Sequence, residues 1–185
     1  MGLDMYGCCV KEDLVRDLSE VDPELCYDLG EPPADFASRI ALEKLELTDD
    51  GSCIRYEADV QEVAKRVEAR SQLLVARSKI ARVKVEPIVF HYWRKHPDLF
   101  GWFAEKYMEK GGSNPAFNCT HLHLNRDDLA LLKTHIETGL LPDTTGFFFG
   151  ESSGQHDEVE DDLLFIQKAN LLIDAGDRIY FRAWY

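Results

Sequence analysis

Apolar positions recur along this chain with two periods. Alternation in β-branched and aromatic runs marks strands, and spacing of three and four marks helices. Residues 2–10 carry Leu3, Met5 and Val10 and predict a first strand. Leu14, Val15 and Leu18 predict a short helix over 11–20, and Phe36, Ile40, Leu42 and Leu45 a second over 34–47. Asp22-Pro23 and Gly30-Glu31-Pro32-Pro33 separate the two. Thr48-Asp49-Asp50-Gly51-Ser52 reads as a turn and as the hinge of the chain. Val60, Val63, Val67, Leu74 and Ile80 fall near one face of a long helix over 59–81. Its Arg77 and Lys79 suit the negative pole of the helix dipole.

Residues 83–93 alternate through Val83, Val85, Ile88, Phe90 and Tyr92 and predict a strand. Pro87 has no N–H to give a ladder, so a bulge or a sheet edge is expected there. Pro97 suits a helix's first turn, and Leu99, Phe100, Trp102, Phe103 and Tyr107 make that helix amphipathic until Gly111-Gly112-Ser113-Asn114-Pro115. A strand over 119–124 leads to Asn125, a cap for a helix with Leu129, Leu132 and Ile136 inward and Gly139 as its stop. An acidic-headed helix over 157–175 and a strand over 178–185 close the chain; in the strand, Ile179, Phe181 and Ala183 oppose Tyr180, Arg182 and Trp184. Between them, residues 140–150 set three Phe between Gly146 and Gly150. Burying each ring is worth roughly 1.5–3 kcal/mol, so this loop is expected to organise the core against the Asn125 helix and the last helix. Mixed strands and helices with few candidate parallel repeats predict an α+β fold: a small, mainly antiparallel sheet with several packed helices. A single domain over 1–185 is expected, with a helical insert at about 11–82.

Composition narrows the function classes. No run of about 18 apolar residues occurs, and residues 1–6 lack a basic leader region, so neither a membrane span nor a signal peptide is expected. Tyr6 stands where myristoylation wants Ser or Thr. Five cysteines (Cys8, Cys9, Cys26, Cys53 and Cys119) with no CxxC pair fit a reduced, cytoplasmic setting. The net charge of −13 argues against a general affinity for nucleic-acid phosphates, so no direct nucleic-acid binding is expected. Solubility, a basic protein partner, or mimicry of nucleic acid are the readings left for the acidity.

Met1-Gly2-Leu3-Asp4-Met5-Tyr6, Tyr92-Trp93-Arg94-Lys95 before an aromatic helix, and Leu140-Leu141-Pro142 with Thr145-Gly146-Phe147-Phe148-Phe149-Gly150 resemble a family of small uncharacterised proteins of bacteriophages and prophages. The likeness covers roughly residues 1–6 and 88–185, and includes the acidic last helix with its aromatic final strand. The chain departs from the family in Gly7-Cys8-Cys9 and in the long acidic stretch over 11–82. The resemblance implies a phage or mobile-element origin and no catalytic residue.

Cys119, His121 and His123 alternate along a strand and offer thiolate and imidazole to zinc, with a fourth ligand from His91, His96 or His135. Leu122 and Leu124 on the opposite face explain the same alternation without a metal, and no cofactor is the expectation. Tyr92-Trp93-Arg94-Lys95-His96 sets cations and rings before a helix N-terminus, where an anion or a base could sit; packing of Tyr92 or Trp93 in the core, with Arg94 and Lys95 paired to acids, is the favoured account. Asp143, Thr144 and Thr145 could line a pocket, but fit turn chemistry. Asp157, Glu158, Glu160, Asp161 and Asp162, flanked by Glu151 and His156, form the densest acidic cluster. Together with Glu57, Asp59 and Glu62 they are the expected partner contacts, since both groups begin helices and should stand clear of the core; favouring the helix dipole would explain them as well. No Walker loop, GxSxG or HExxH occurs. The leading expectation is a non-enzymatic accessory protein that binds a host protein with a basic surface. Its sharpest form is an anti-defence inhibitor, for instance one blocking the nucleic-acid-binding surface of a CRISPR-type complex. The alternative is a nucleotide- or phosphate-binding protein or metal-dependent enzyme using the histidine strand and residues 92–96.

Overall fold

The computed structural model describes residues 2–12, 52–80, 87–146, 149 and 156–185. Its elements in chain order are β1 (Asp4–Lys11), α1 (Ser52–Arg55), α2 (Val60–Ile80), β2 (Ile88–Arg94), α3 (Pro97–Glu109), β3 (His121–Leu124), α4 (Arg126–Thr138), α5 (His156–Asp174) and β4 (Asp177–Trp184). The four strands form one antiparallel sheet in the order β2-β1-β4-β3, and the fold is α+β. Lys11, expected to start a helix, ends β1; the rest of that predicted helix from residue 13, the predicted helix over 34–47, the turn up to Gly51, and Val83 and Val85 lie outside the described residues.

β1 and β4 form the central ladder, from Asp4 opposite Trp184 to Lys11 opposite Asp177. β2 is an edge strand with Pro87 just before it, where a missing N–H costs no ladder bond. Gly7 stands opposite His91 and Cys8 opposite Val89, so Phe90 is an extra residue in β2. A bulge re-aims the side chains around it. Here Phe90 and His91 both meet the ring of Phe165 from α5, at centroid distances of 5.7 and 5.6 Å.

Phe165 is the centre of the core. Trp93 lies 4.8 Å from it edge-on, and Phe103 stands 6.4 Å away. Gly7 is what admits the ring: a Cβ there would fall 2.7 Å from Phe165 Cε2. Phe103 of α3 stacks on Phe181 of β4 at 3.8 Å, carrying the aromatic packing across the sheet. Met5, Cys9, Ile88, Phe90, Trp93, Leu122, Leu124, Ile179, Phe181 and Ala183 are strand residues of the core.

The helices are tied to this core and to each other. Ile54 of α1 and Val63 and Val67 of α2 belong to the same cluster, so these two helices of the 11–82 stretch share the core. Glu68 of α2 pairs at 2.6 Å with Lys11, which bonds Asp177 just beyond α5. Glu57, ahead of α2, lies close enough to Lys168 of α5 for their charges to interact. α2 and α5, which pack together, therefore run side by side in the same direction. α4 starts with a capping box, Asn125 accepting from Asp128 N and Asp128 from Asn125 N, each at 2.9 Å, and stops at Gly139 with φ of 68°. The Trp102 indole N–H of α3 donates to His135 Nδ1 of α4 at 3.0 Å. No helix among the described residues is long and apolar enough to cross a membrane.

One expectation is corrected. The strand predicted over 119–124 is shorter, and Cys119 precedes it with φ of 56°, so the alternation does not reach back to the thiol. In the aromatic loop, Phe149 is half-buried and packs on Phe100 of α3 and on Tyr185, at 4.9 and 5.1 Å. α3 receives the loop because Gly101 leaves room, a Cβ there falling 1.9 Å from Thr144 Oγ1. Asp98 then accepts from Thr144 N at 3.0 Å. Phe147 and Phe148 lie outside the described residues.

Removing the central ring, Phe165→Ala, should lower unfolding free energy by about 3–5 kcal/mol. Gly7→Val should be destabilising too, by forcing that ring out of its seat. Urea unfolding measures both, and a midpoint unchanged in either variant would show that the Gly7–Phe165 contact does not anchor the core.

Candidate functional site

The two acidic groups predicted as partner contacts begin α2 and α5. These helices are neighbours running in one direction, and Lys168 of α5 feels the charge of both Asp161 and Glu57. On α2, Asp59 Oδ1 accepts from Gln61 N at 2.9 Å and Glu62 N at 3.1 Å and caps the helix. Arg66 pairs with Glu62 at 2.8 Å and with Glu57 at 3.7 Å. The bond from Arg66, with the charge of Lys65, holds the Glu62 carboxyl below its usual value. On α5, Asp157 and Glu160 are exposed and Glu158 and Asp161 half-buried.

Asp162 departs from the expectation that these acids stand clear of the core: it is 2% exposed. Its carboxylate accepts from the Trp93 indole N–H at 3.0 Å and meets His96 Nε2, also at 3.0 Å. His96 Nδ1 accepts from Leu99 N at 3.4 Å, making the imidazole the N-cap of α3 and placing the proton on Nε2. Burial draws the His96 pKa down, but the hydrogen bond and charge of Asp162, helped by Glu158 and Asp98, overcome it and leave it raised. Burial raises Asp162, partly offset by His96. A second buried pair lies beside the first. Lys168 Nζ is 3.3 Å from His91 Nδ1, while His91 Nε2 is 3.4 Å from Asp161, near enough for attraction but not aligned as a hydrogen bond. Burial lowers both His91 and Lys168, so the amine donates to a neutral ring.

Residues 92–95 do not converge on one point. Trp93 turns into the core, while Tyr92 and Arg94 share the other face. The Tyr92 hydroxyl donates to Asp4 Oδ1, its ring meets Tyr6 and Tyr56, and Arg55 lies over it; burial and Asp4 push its pKa to about 12. Lys95 is exposed, with φ of 56°. Asp143 is exposed and Thr144 Oγ1 bonds Pro142 O, as turn chemistry requires. His121 and His123 lie on one face of β3, His123 opposite Tyr180 and His121 opposite Arg182, while exposed Cys119 turns its thiol toward Asn118 Oδ1 at 3.7 Å. His91, His96 and His135, the candidate fourth ligands, are engaged with Lys168, Asp162 and Trp102. Among the described residues no three His, Cys, Asp or Glu gather as a metal site would.

The sequence reading missed the inward roles of Asp162, Lys168 and Asp177. A signal was present: Asp162 sits in the helical stripe of Phe165, Ile166, Ala169 and Leu172, and Asp177 alternates in step with Ile179 and Phe181. Comparison with protein-family models, with curated proteins and with solved structures gives no match to this chain.

Breaking the buried pair with Asp162→Ala leaves His96 and Trp93 unsatisfied and should cost about 3–5 kcal/mol, read by denaturant unfolding; a cost under about 1 kcal/mol, the net worth of an ordinary hydrogen bond, would remove Asp162 from the framework. His121 supplies a pH test. Burial and then Arg182 lower its pKa from 6.5 to about 4. Its contribution is whole above pH 6.5 and is lost as pH falls toward 4, where the unfolded chain binds the extra proton. Each such proton gives a slope of about 1.36 kcal/mol per pH unit. His96 and Asp162, both raised, act in the opposite sense, so the comparison of wild type with His121→Gln isolates the effect. The variant should lose stability less steeply over that window, and equal slopes would mean that His121 titrates normally.

Proposed function

We propose that this chain is a non-enzymatic accessory protein of phage or mobile-element origin that binds and modulates a host protein through the acidic ends of α2 and α5. The observation that carries this reading is that one acid of each group, Glu57 ahead of α2 and Asp161 on α5, lies within charge range of Lys168, with Asp59, Glu62, Asp157, Glu158 and Glu160 on or just ahead of the same two neighbouring helices. Asp162 leaves the set because it is buried. The likeness in residues 1–6 and 88–185 supports the origin. A surface of this charge suits a basic partner, such as the nucleic-acid-binding face of a host defence complex, and anti-defence inhibition is the sharpest form of the proposal. Such association is steered by long-range attraction and weakens as salt screens it.

The acids also favour the positive poles of two neighbouring helix dipoles. That role is worth only about 0.3–1 kcal/mol each, so binding and stability separate experimentally. Affinity capture from host lysate with mass spectrometry identifies the partner, and Asp157→Lys with Glu160→Lys then tests the surface. The double variant should bind that partner at least about tenfold more weakly, a loss of ~1.4 kcal/mol, with little change in melting temperature. Wild-type affinity in the double variant at low and at physiological salt would overturn the acidic interface. Failure to recover any partner, joined to thermal stabilisation by a nucleotide, would replace it with the ligand-binding reading.

A further inference from the structure

Arg94 and Lys95 take no part in the acidic helix ends. Successive strand residues point to opposite faces, so Lys95 would be expected to leave Arg94. The left-handed turn at Lys95, with φ of 56° and its N–H bonded to Leu3 O at 2.9 Å, brings the two side chains back together. A Cβ placed on Gly2 would stand 3.4 Å from Lys95 Cε and 3.9 Å from Arg94 Nη2, so both cations border one point. Both residues are exposed, and neither has an ion pair among the described residues. Other cations of this acid-rich chain meet carboxylates, as Lys110 meets Asp128 and Arg178 meets Glu12. Asp4, opposite Arg94 in the ladder, accepts from the Tyr92 hydroxyl and pairs with neither cation. Two like charges held side by side repel each other, and an anion between them relieves that repulsion.

The ladder register extends the patch. Arg94, Asp4 and Trp184 form one row across β2, β1 and β4, and they share the outward face because their neighbours Trp93, Met5 and Ala183 belong to the core. Two strand spacings put Arg94 and Trp184 about 10 Å apart at the backbone. Trp184 is 51% exposed, and Tyr56, whose ring meets Tyr92 of the next outward row, is 64% exposed. Arg55 lies over both tyrosine rings, also without an ion pair among the described residues. Cations and uncovered rings side by side fit a segment that carries a carboxylate next to an apolar side chain. A nucleic-acid strand fits less well, since its run of phosphates would meet Glu57 and Asp59 just beyond Tyr56 and a net charge of −13 behind them.

We propose that this outward face of β2, β1 and β4 docks an acidic peptide segment of a partner protein, with a carboxylate between Arg94 and Lys95 and an apolar side chain on Trp184. The charge complementarity is local: at physiological salt, screening over about 8 Å lets the two cations act on a docked carboxylate while the distant acids of the chain are damped. The surface stands apart from the acids of α2 and α5 and does not depend on them.

The test is a titration of the whole ¹⁵N-labelled chain with a short acetylated peptide alternating glutamate and phenylalanine, followed by amide and indole NMR shifts. A matching peptide with glutamine in place of glutamate and a thymidine oligonucleotide form the other arms. Saturable shifts at Leu3, Arg94, Lys95 and the Trp184 indole N–H are expected with the acidic peptide. Arg94→Gln with Lys95→Gln should weaken binding by about tenfold or more at an unchanged melting temperature, and Trp184→Ala by about threefold. Absence of saturable shifts with the acidic peptide at millimolar concentration overturns the proposal. So does wild-type affinity in the double variant, with Trp184→Ala deciding the matter if that variant does not fold. Equal binding of the glutamine peptide removes the carboxylate from the site, and tighter binding of the oligonucleotide assigns the face to nucleic acid; either result overturns the proposed occupant.

Discussion

The seat of Phe165 on Gly7 is the contact on which the rest of the structure depends. A glycine in a central strand weakens that strand by itself, and here the empty position is filled by a ring from the last long helix. The bulge at Phe90 serves the same contact, since it turns two successive β2 side chains toward that ring. With Phe165 fixed, α5 has one rotation about its axis. That rotation sends Asp162 down to Trp93 and His96 and Lys168 down to His91.

Two polar clusters inside an aromatic core are expensive to desolvate, and their value lies in specificity as much as in stability. Asp162 joins the end of β2 to the first turn of α3 and both to α5, so three elements share one carboxylate. An apolar residue there would fill the volume without fixing where α3 begins. Lys11 plays the matching part at the other end of the sheet, bonding Asp177, Glu68 and the Ala175 carbonyl. α2 is thus tied from Glu68, through Lys11, to Asp177 just beyond the end of α5.

The antiparallel sheet and the α+β class were legible in the sequence because alternation in β1 and β4 and the 3.6 period in α3, α4 and α5 are strong signals. The capping residue Asn125 and the stop at Gly139 were readable from residue type alone, since each answers a backbone need. The surface that Thr144 and Phe149 meet on α3 was not legible because it is set by an absence, the missing side chain of Gly101, and no period announces which surface a loop meets. Cys119 was put into the strand because alternation says nothing about a left-handed residue that ends it. The acids on α5 were read as one exposed row because density drew attention away from phase. Phase is what puts Asp162 in line with Phe165 and Ile166 while Asp157 and Glu160 face water.

The edges of the sheet carry a last consequence. A strand edge with free amides and carbonyls is a template for another chain, and long flat edges lead to aggregation. Here one edge is β3, only four residues long and bearing two histidines. The other is β2, which begins after Pro87, is interrupted by a bulge and has α1 packed against it. Neither offers an incoming strand a straight run of ladder positions. Among the described strands, the sheet thus lacks the long flat edge on which edge-to-edge pairing is built.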